Sequence, residues 1–254
     1  KYPLQWLINK FAPVPDWEIK GVPSLKKGII YYTDNRLDSN ISEKVQEQLT
    51  KIGLPIVSVS LKPINFGDNI VLPLERGYLT MFKQILAGLE KSTAEVIYFC
   101  EHDVLYHPSH FDFTPPCKDI YYYNENTWKV DWQTGQALFY YTKQTSGLCA
   151  YRDVLIQHYR ERVKRVELEG FSRKMGFEPG THSPPNGVDH FKAQSYWSDV
   201  PNVDIRHQKN LTESRWSRDR FRSQRSCKGW TLSDTIPCWG PTKGRFLEFL
   251  KEVG

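Results

Sequence analysis

The stretch Glu95-Val-Ile-Tyr-Phe-Cys100, running straight into Glu101-His102-Asp103, decides how the chain is read. A short run of apolar, β-branched and aromatic residues without alternation is a strand buried on both faces. The acidic and imidazole groups that follow are delivered to its carboxyl end, the edge at which open α/β sheets bind ligands. Upstream, Gly28-Ile-Ile-Tyr-Tyr-Thr33 is a strand of the same kind and ends in Thr33-Asp34-Asn35-Arg36. Between them, Asn40 with Glu43 three residues later can cap a helix with the stripe Val45, Leu49 and Ile52. Gly53 stops that helix, and Pro55-Ile-Val-Ser-Val-Ser60 is a further strand. After a loop holding Gly67-Asp68-Asn69, the residues Tyr78, Phe82, Ile85, Leu86 and Leu89 recur at helical spacing from about Glu75 to Lys91. Strand, helix, strand, helix and strand with short connections predict an α/β fold. Its mostly parallel, Rossmann-like sheet is flanked by helices.

Outward from this centre the pattern changes. The first residues, with Pro3, Pro13, Pro15 and Pro23, are expected to form an arm over 1–26. Beyond Pro115, the runs Ile120–Tyr123, Trp128–Trp132 and Ala137–Tyr141 look like an antiparallel extension. Tyr151, Val154, Leu155, Tyr159, Val163 and Val166 mark a long amphipathic helix. From Gly170 to Pro201 the chain is rich in Gly, Pro, Ser and His, which suggests functional loops. A last helix is expected over Gly244 to Val253. One α/β domain over 27–212 with a basic C-terminal extension over 213–254, packed on the same domain, accounts for the organisation.

The 254 residues suffice for one large core, and 39% hydrophobic with 25% charged residues excludes disorder, collagen-like repeats and coiled coil. Nowhere do roughly eighteen apolar residues run together, so no transmembrane segment is expected. The N-terminal residues carry no apolar signal region, and five scattered cysteines form no C-x-x-C pair. A cytoplasmic protein with reduced thiols is the expectation, under which the sequons at Asn40 and Asn210 are chance matches. There is no G-x-S-x-G, no phosphate loop and no dinucleotide fingerprint after the first strand, which removes serine hydrolases, P-loop enzymes and dehydrogenases.

Net charge is +5, but Ile205 to Lys228 holds eight basic residues against two acidic ones, leaving −1 for the rest. Such a patch suits phosphate, of a nucleotide or of a nucleic acid. Carboxylates at a strand end suit a divalent cation, which would neutralise a diphosphate leaving group. His207 follows a strand-like stretch and opens the basic segment, near the same phosphate.

On these residues, Tyr32-Thr33-Asp34-Asn35, Glu101-His102-Asp103 and His207, the chain resembles a GT-A-fold glycosyltransferase of the broad family 2 type, over roughly 27–212. The resemblance implies a sugar moved from a nucleotide-diphosphate donor to an acceptor hydroxyl, with Mn2+ or Mg2+. It implies metal ligation by Asp103 and His207. Nucleotide-sugar contacts are implied for Tyr32, Thr33, Asp34, Asn35, Arg76, Glu101, His102 and Lys209. Glu101 departs from the usual D-x-D motif by replacing its first Asp, and by analogy faces the ribose or a metal-bound water. Arg76, in Leu74-Glu75-Arg76-Gly77, is expected at a helix N-terminus facing phosphate. An inverting enzyme needs a base for the acceptor proton, for which Asp189 is favoured over Glu178 as a carboxylate at the cleft rim. A retaining enzyme needs no such base. Arg215, Arg218, Arg220 and Arg222 form the acceptor or phosphate patch, for a polyanionic or glycan acceptor, a nucleic acid included. The alternative is a nucleic-acid-binding protein or metal-dependent nuclease using 205–228 with Trp216 and Trp230. Two-metal nucleases would need more clustered carboxylates than Glu101 and Asp103 supply.

Overall fold

The computed structural model describes residues 25–182, 188–221 and 223–253. Residues 1–24 of the expected arm, and Arg222, lie outside the described residues.

The first half winds through β1 (Lys27–Thr33), α1 (Ser39–Ile52), β2 (Ile56–Ser60), β3 (Asp68–Val71), α2 (Tyr78–Lys91) and β4 (Val96–Glu101), all expected except β3. The β1 strand pairs in parallel with both β2 and β4, and β2 with β3. Two hydrophobic clusters explain the unbroken apolar runs of β1 and β4. Ile29, Tyr31, Val96 and Tyr98 face one side, where Ile41, Val45 and Leu49 of α1 cover them. Ile30, Tyr32, Ile97 and Phe99 face the other, under Phe82, Ile85 and Leu89 of α2. Close approach on that side depends on Gly88, where a Cβ would sit 2.7 Å from Ile30 Cγ2.

Beyond a two-residue strand β5 (Val104–Leu105), the elements are β6 (Ile120–Asn124), β7 (Thr127–Asp131), β8 (Ala137–Phe139), β9 (Leu148–Tyr151), α3 (Arg152–Glu169), β10 (Lys192–Tyr196) and β11 (Asn202–Arg206). The main sheet has seven strands in the order β10-β6-β9-β4-β1-β2-β3. Only β9 runs against the others, between β4 and β6. Leu155, Tyr159, Val163 and Val166 of α3 join α2 over the second face. A five-stranded sheet, β12-β8-β7-β11-β5, stands beside it, with β12 at Thr231–Ser233. The hairpin β13 (Thr235–Ile236) and β14 (Gly240–Pro241) and the helix α4 (Phe246–Glu252) close the chain.

Several details differ from the sequence reading. Asp38, rather than Asn40, caps α1, because its side chain accepts the Asn40 N–H at 3.0 Å. The strand β3 begins inside the expected loop, at Asp68-Asn69; it is a half-exposed edge of four residues. The expected antiparallel extension is divided: β6 joins the main sheet beside its parallel partner β10, while β7 and β8 enter the second sheet. The C-terminal segment is tied into the core, since Phe246, Phe249 and Leu250 of α4 share the cluster of Ile29 and Tyr31. Among the described residues no helix is long and apolar enough to cross a membrane.

Candidate active site

The carboxyl ends of β1 and β4 lie side by side, Tyr32 opposite Glu101 in the ladder. Each side chain of one strand end meets one of the other. The Tyr32 hydroxyl donates to Glu101 Oε1 at 2.6 Å, and Thr33 Oγ1 lies 2.6 Å from His102 Nδ1. Gln84 of α2 fixes this end by donating its amide to the carbonyls of Thr33 and Val59. Burial and the neighbouring Asp103 charge push the Glu101 pKa up to about 8, with the Tyr32 hydrogen bond opposing them.

Asp103 is buried, not exposed as a strand-end residue is expected to be. Its Oδ2 lies 3.3 Å from His207 Nε2 and accepts the Asn210 amide at 2.6 Å. Burial pushes this carboxyl up, but the His207 hydrogen bond and the nearby His102 and Arg206 outweigh it and hold it below the ordinary Asp value. Burial lowers the His102 pKa, which keeps its imidazole neutral and available as a ligand. One donor atom from each of His102, Asp103 and His207 falls within 4.8 Å of the others, so the three can share a metal ion. Two imidazoles and one carboxylate suit Mn2+ better than Mg2+, which prefers oxygen ligands. The contact between Thr33 Oγ1 and His102 Nδ1 suits the tautomer that leaves Nε2 open. Thus the two expected ligands come together, and His102, expected on the nucleotide, joins them.

Around this group runs a cleft of about 660 Å³. Tyr32, Thr33, Asp34, Arg76, Lys209 and the Glu101-His102-Asp103 run line one end. Arg76 directly precedes Gly77, the N-cap of α2, and donates from Nε to Asp34 Oδ2 at 2.6 Å and from Nη2 to the Lys209 carbonyl at 2.6 Å. It therefore joins the β1 end to the turn after β11. Lys209 Nζ returns the link to the Arg36 carbonyl at 2.8 Å. Asn35 has a different task from the one expected. At φ 59°, its Oδ1 accepts the Leu61 and Lys62 N–H groups at 2.8 and 2.9 Å, clamping the loop after β2.

The second sheet supplies the other wall, which sequence reasoning missed. Lys129 of β7 is buried, donates to Gln144 Oε1 at 3.0 Å and sits 4.3 Å over the Tyr140 ring. The Gln144 amide donates in turn to Asp204 Oδ2 at 3.0 Å, and Arg206 lies 3.3 Å from Asp204 Oδ1. Burial drops the Lys129 pKa to about 8, partly offset by Asp204. A charged residue inside an aromatic strand was the only signal, and it marks a solvated face just as well.

The two carboxylates considered as base are placed apart. Glu178 lines the cleft. Asp189 is not among its lining residues; its side chain is 4% exposed and accepts the Gly180 N–H at 2.9 Å. The basic segment is divided too. Arg206 is occupied by Asp204, Ser214 and Thr212, and Arg220 by Glu213 and the Ser214 carbonyl. Arg215 lines the cleft and lies 5.2 Å over the Phe221 ring. Arg218 borders a separate hollow with Phe221 and Trp230. No continuous row of cations suited to a nucleic-acid backbone results among the described residues.

No family model matches the chain, and no curated protein matches it. Solved structures similar to it include a glycosyltransferase involved in glycosylation of the major capsid of PBCV-1, at 11% identity and TM-score 0.42, covering 70% of this chain and 91% of that one. Another is a mutant Drosophila β-1,4-galactosyltransferase 7 in complex with manganese, UDP-Gal and xylobiose. It shows 12% identity and TM-score 0.41, covering 78% of this chain and 81% of that one.

Proposed function

We propose that the protein is a metal-dependent glycosyltransferase of GT-A type that moves a sugar from a nucleoside-diphosphate donor to an acceptor hydroxyl. The reading is carried by one observation: His102 and Asp103, which line the cleft at the carboxyl end of β4, and His207 behind them each bring one ligand atom within 4.8 Å of the others. A bound Mn2+ would neutralise charge on the departing diphosphate there. The chain itself does the rest. Arg76 and Lys209 bring cationic groups to the phosphate side, with the Arg76–Asp34 pair fixing the β1 end. Tyr32, Thr33 and Asp34 form the floor for the nucleoside. The wall of Lys129, Tyr140 and Gln144 offers an aromatic face and polar groups to the acceptor, the mixture that carbohydrate hydroxyls and ring faces require. Glycans are favoured over nucleic acid as acceptors because Arg206 and Arg220 are held in ion pairs while Arg215 and Arg218 border separate hollows.

Incubation with a panel of sugar nucleotides and Mn2+ tests the reading, with released nucleoside diphosphate as the signal. At least one donor should be consumed, and chelation should stop it. Consumption of none, with no Mn2+-dependent nucleotide binding by calorimetry, overturns it.

A further inference from the structure

Glu178 lies in a loop, yet the backbone on both sides of it is held by buried side chains from three different parts of the fold. Arg162 of α3, 2% exposed, donates to the Phe177 carbonyl at 2.7 Å. Tyr123 of β6, fully buried, donates its hydroxyl to the Pro179 carbonyl at 2.6 Å. Asp189 accepts the Gly180 N–H at 2.9 Å, and the buried His158 of α3 lies 3.6 Å from the same oxygen. The Arg162 guanidinium is fixed in turn over the rings of Phe82 and Tyr159, at 5.0 and 5.6 Å. Gly180 completes the arrangement. At φ 73° a Cβ there would come 2.8 Å from the Tyr121 ring and 2.9 Å from the Phe191 carbonyl. Buried polar side chains aimed at loop carbonyls are uncommon, since each must be desolvated to get there. Two such donors and the Asp189 acceptor hold the 177–178 and 179–180 peptides on either side of Glu178, so the position of its backbone is specified.

We infer that Glu178 is the carboxylate that takes the acceptor's proton, and that Arg162, Tyr123 and Asp189 are positioning residues that hold its backbone. The inference rests on the transferase reading. As the acceptor oxygen bonds to the anomeric carbon, the bond from that carbon to the diphosphate breaks and its electron pair leaves with the diphosphate. The hydroxyl proton passes to a Glu178 oxygen, and the configuration inverts. Preorganisation of the base within the cleft is what such a step requires. The groups facing Glu178 are Arg162 and Tyr159 from α3, Tyr123 from β6 and Tyr140 after β8. Burial raises its pKa, with Arg162 opposing, so the carboxyl is a stronger base than an exposed Glu and turnover falls as pH drops through that raised value.

Two isosteric substitutions give opposite results under this assignment. Glu178→Gln should lower turnover by about a hundredfold or more while Mn2+-dependent binding of the donor's nucleoside diphosphate stays within about twofold. Asp189→Asn keeps an oxygen for the Gly180 N–H, so it should retain most turnover, whereas Asp189→Ala should lose roughly tenfold in kcat with donor KM little changed. Near-normal turnover in Glu178→Gln, or an Asp189→Asn variant as impaired as Asp189→Ala, overturns the assignment. A readout without donor comes from carboxyl-carbon NMR. Glu178 should titrate above the ordinary Glu value in the wild type and move back towards it in Asp189→Ala. An ordinary value in the wild type overturns the positioning whatever the activity. Failure of every donor and of nucleotide binding would instead count against the transferase reading.

Discussion

His207 Nε2 stands 3.3 Å from Asp103 Oδ2, which joins the turn after β11 to the turn after β4. Asn210 donates to the same carboxylate oxygen, and its Oδ1 accepts the His207 N–H at 2.7 Å. Asp103, His207 and Asn210 are thus held close together without an ion, but His207 Nδ1 accepts the Lys209 N–H at 3.1 Å, so the Nε2 proton facing Asp103 must be given up before that nitrogen can bind a cation. Asn210 also shows what a motif match can hide: read as a chance sequon, its side chain is a structural part of the site.

Mn2+ should therefore stabilise the protein measurably. At a hundredfold excess over Kd the gain is about 2.7 kcal/mol, or roughly 5–10 °C in Tm for a chain of this size. Mg2+ should do less. Asp103→Asn, which keeps volume and an acceptor for Asn210, should abolish the shift, and His207→Gln should reduce it strongly. Asp103→Ala is a poorer probe, because it also removes the acceptor of the half-buried Asn210 amide, a loss of about 1 kcal/mol by itself. An undiminished Mn2+ shift in Asp103→Asn would place the ion elsewhere.

Arg76 connects two chain segments through two hydrogen bonds of 2.6 Å each, one of them to Asp34. Lysine reaches one partner at a time and lacks the planar fork. Arg76→Lys should weaken nucleoside-diphosphate binding about tenfold, the scale of one lost charge-assisted hydrogen bond, with a smaller effect on Tm. Calorimetry with Mn2+ present measures it; unchanged affinity would make Arg76 a scaffold residue only.

What the sequence made legible follows from burial on both faces. The strands β1 and β4 carry uninterrupted apolar runs because helices cover both sides, so their ends, Thr33-Asp34 and Glu101-His102-Asp103, could be located. Single-faced features were not. The β3 strand is a half-exposed edge whose sequence looks like a loop. Lys129 lies in an aromatic strand, and only the pairing of β7 with β11 brings it to Asp204. Glu178 and Asp189 lie in similar Gly- and Pro-rich surroundings. Which one faces the cleft depends on His158 and Gly180 having claimed Asp189. The Arg-rich segment looked like one patch because charge counting cannot see that Glu213 and Asp204 take Arg220 and Arg206.

Gly88 offers a test of how the site is held from behind. A methyl there would press on Ile30 Cγ2 at 2.7 Å and Val59 Cγ2 at 3.2 Å, both β-branched. Alanine gains about 1 kcal/mol in helix propensity, but overpacking a dense core costs about 1–3 kcal/mol. Gly88→Ala should thus lose about 1 kcal/mol net, or roughly 2–4 °C in Tm. It should also weaken nucleotide binding, because the same helix carries Gln84, whose amide holds the Thr33 carbonyl. A higher Tm would mean that the helix can step back without penalty.

Lys129 should be retained at the expense of stability, and pH separates the two effects. Its pKa falls from 10.5 to about 8 because burial penalises the ammonium more than Asp204 rewards it. Below pH 8 both the folded and unfolded chains carry the proton, and the full penalty acts on the folded state. Between about 8 and 10.5 the folded chain has shed the proton while the unfolded chain still binds it, so unfolding free energy rises with pH. Above that window neither state is charged and the penalty is gone. At about 1.36 kcal/mol per pKa unit the penalty is at most about 3–4 kcal/mol. Lys129→Met removes it, at the loss of the hydrogen bond to Gln144, so the variant should be more stable by about 1–2 kcal/mol at pH 7. That advantage should shrink steadily from pH 8 upward. Transfer should drop by tenfold or more, because the cation on the acceptor wall is lost. Denaturation of both proteins at several pH values decides the matter: a variant less stable at pH 7, or an advantage independent of pH, would show that Asp204 stabilises the ammonium more than burial penalises it.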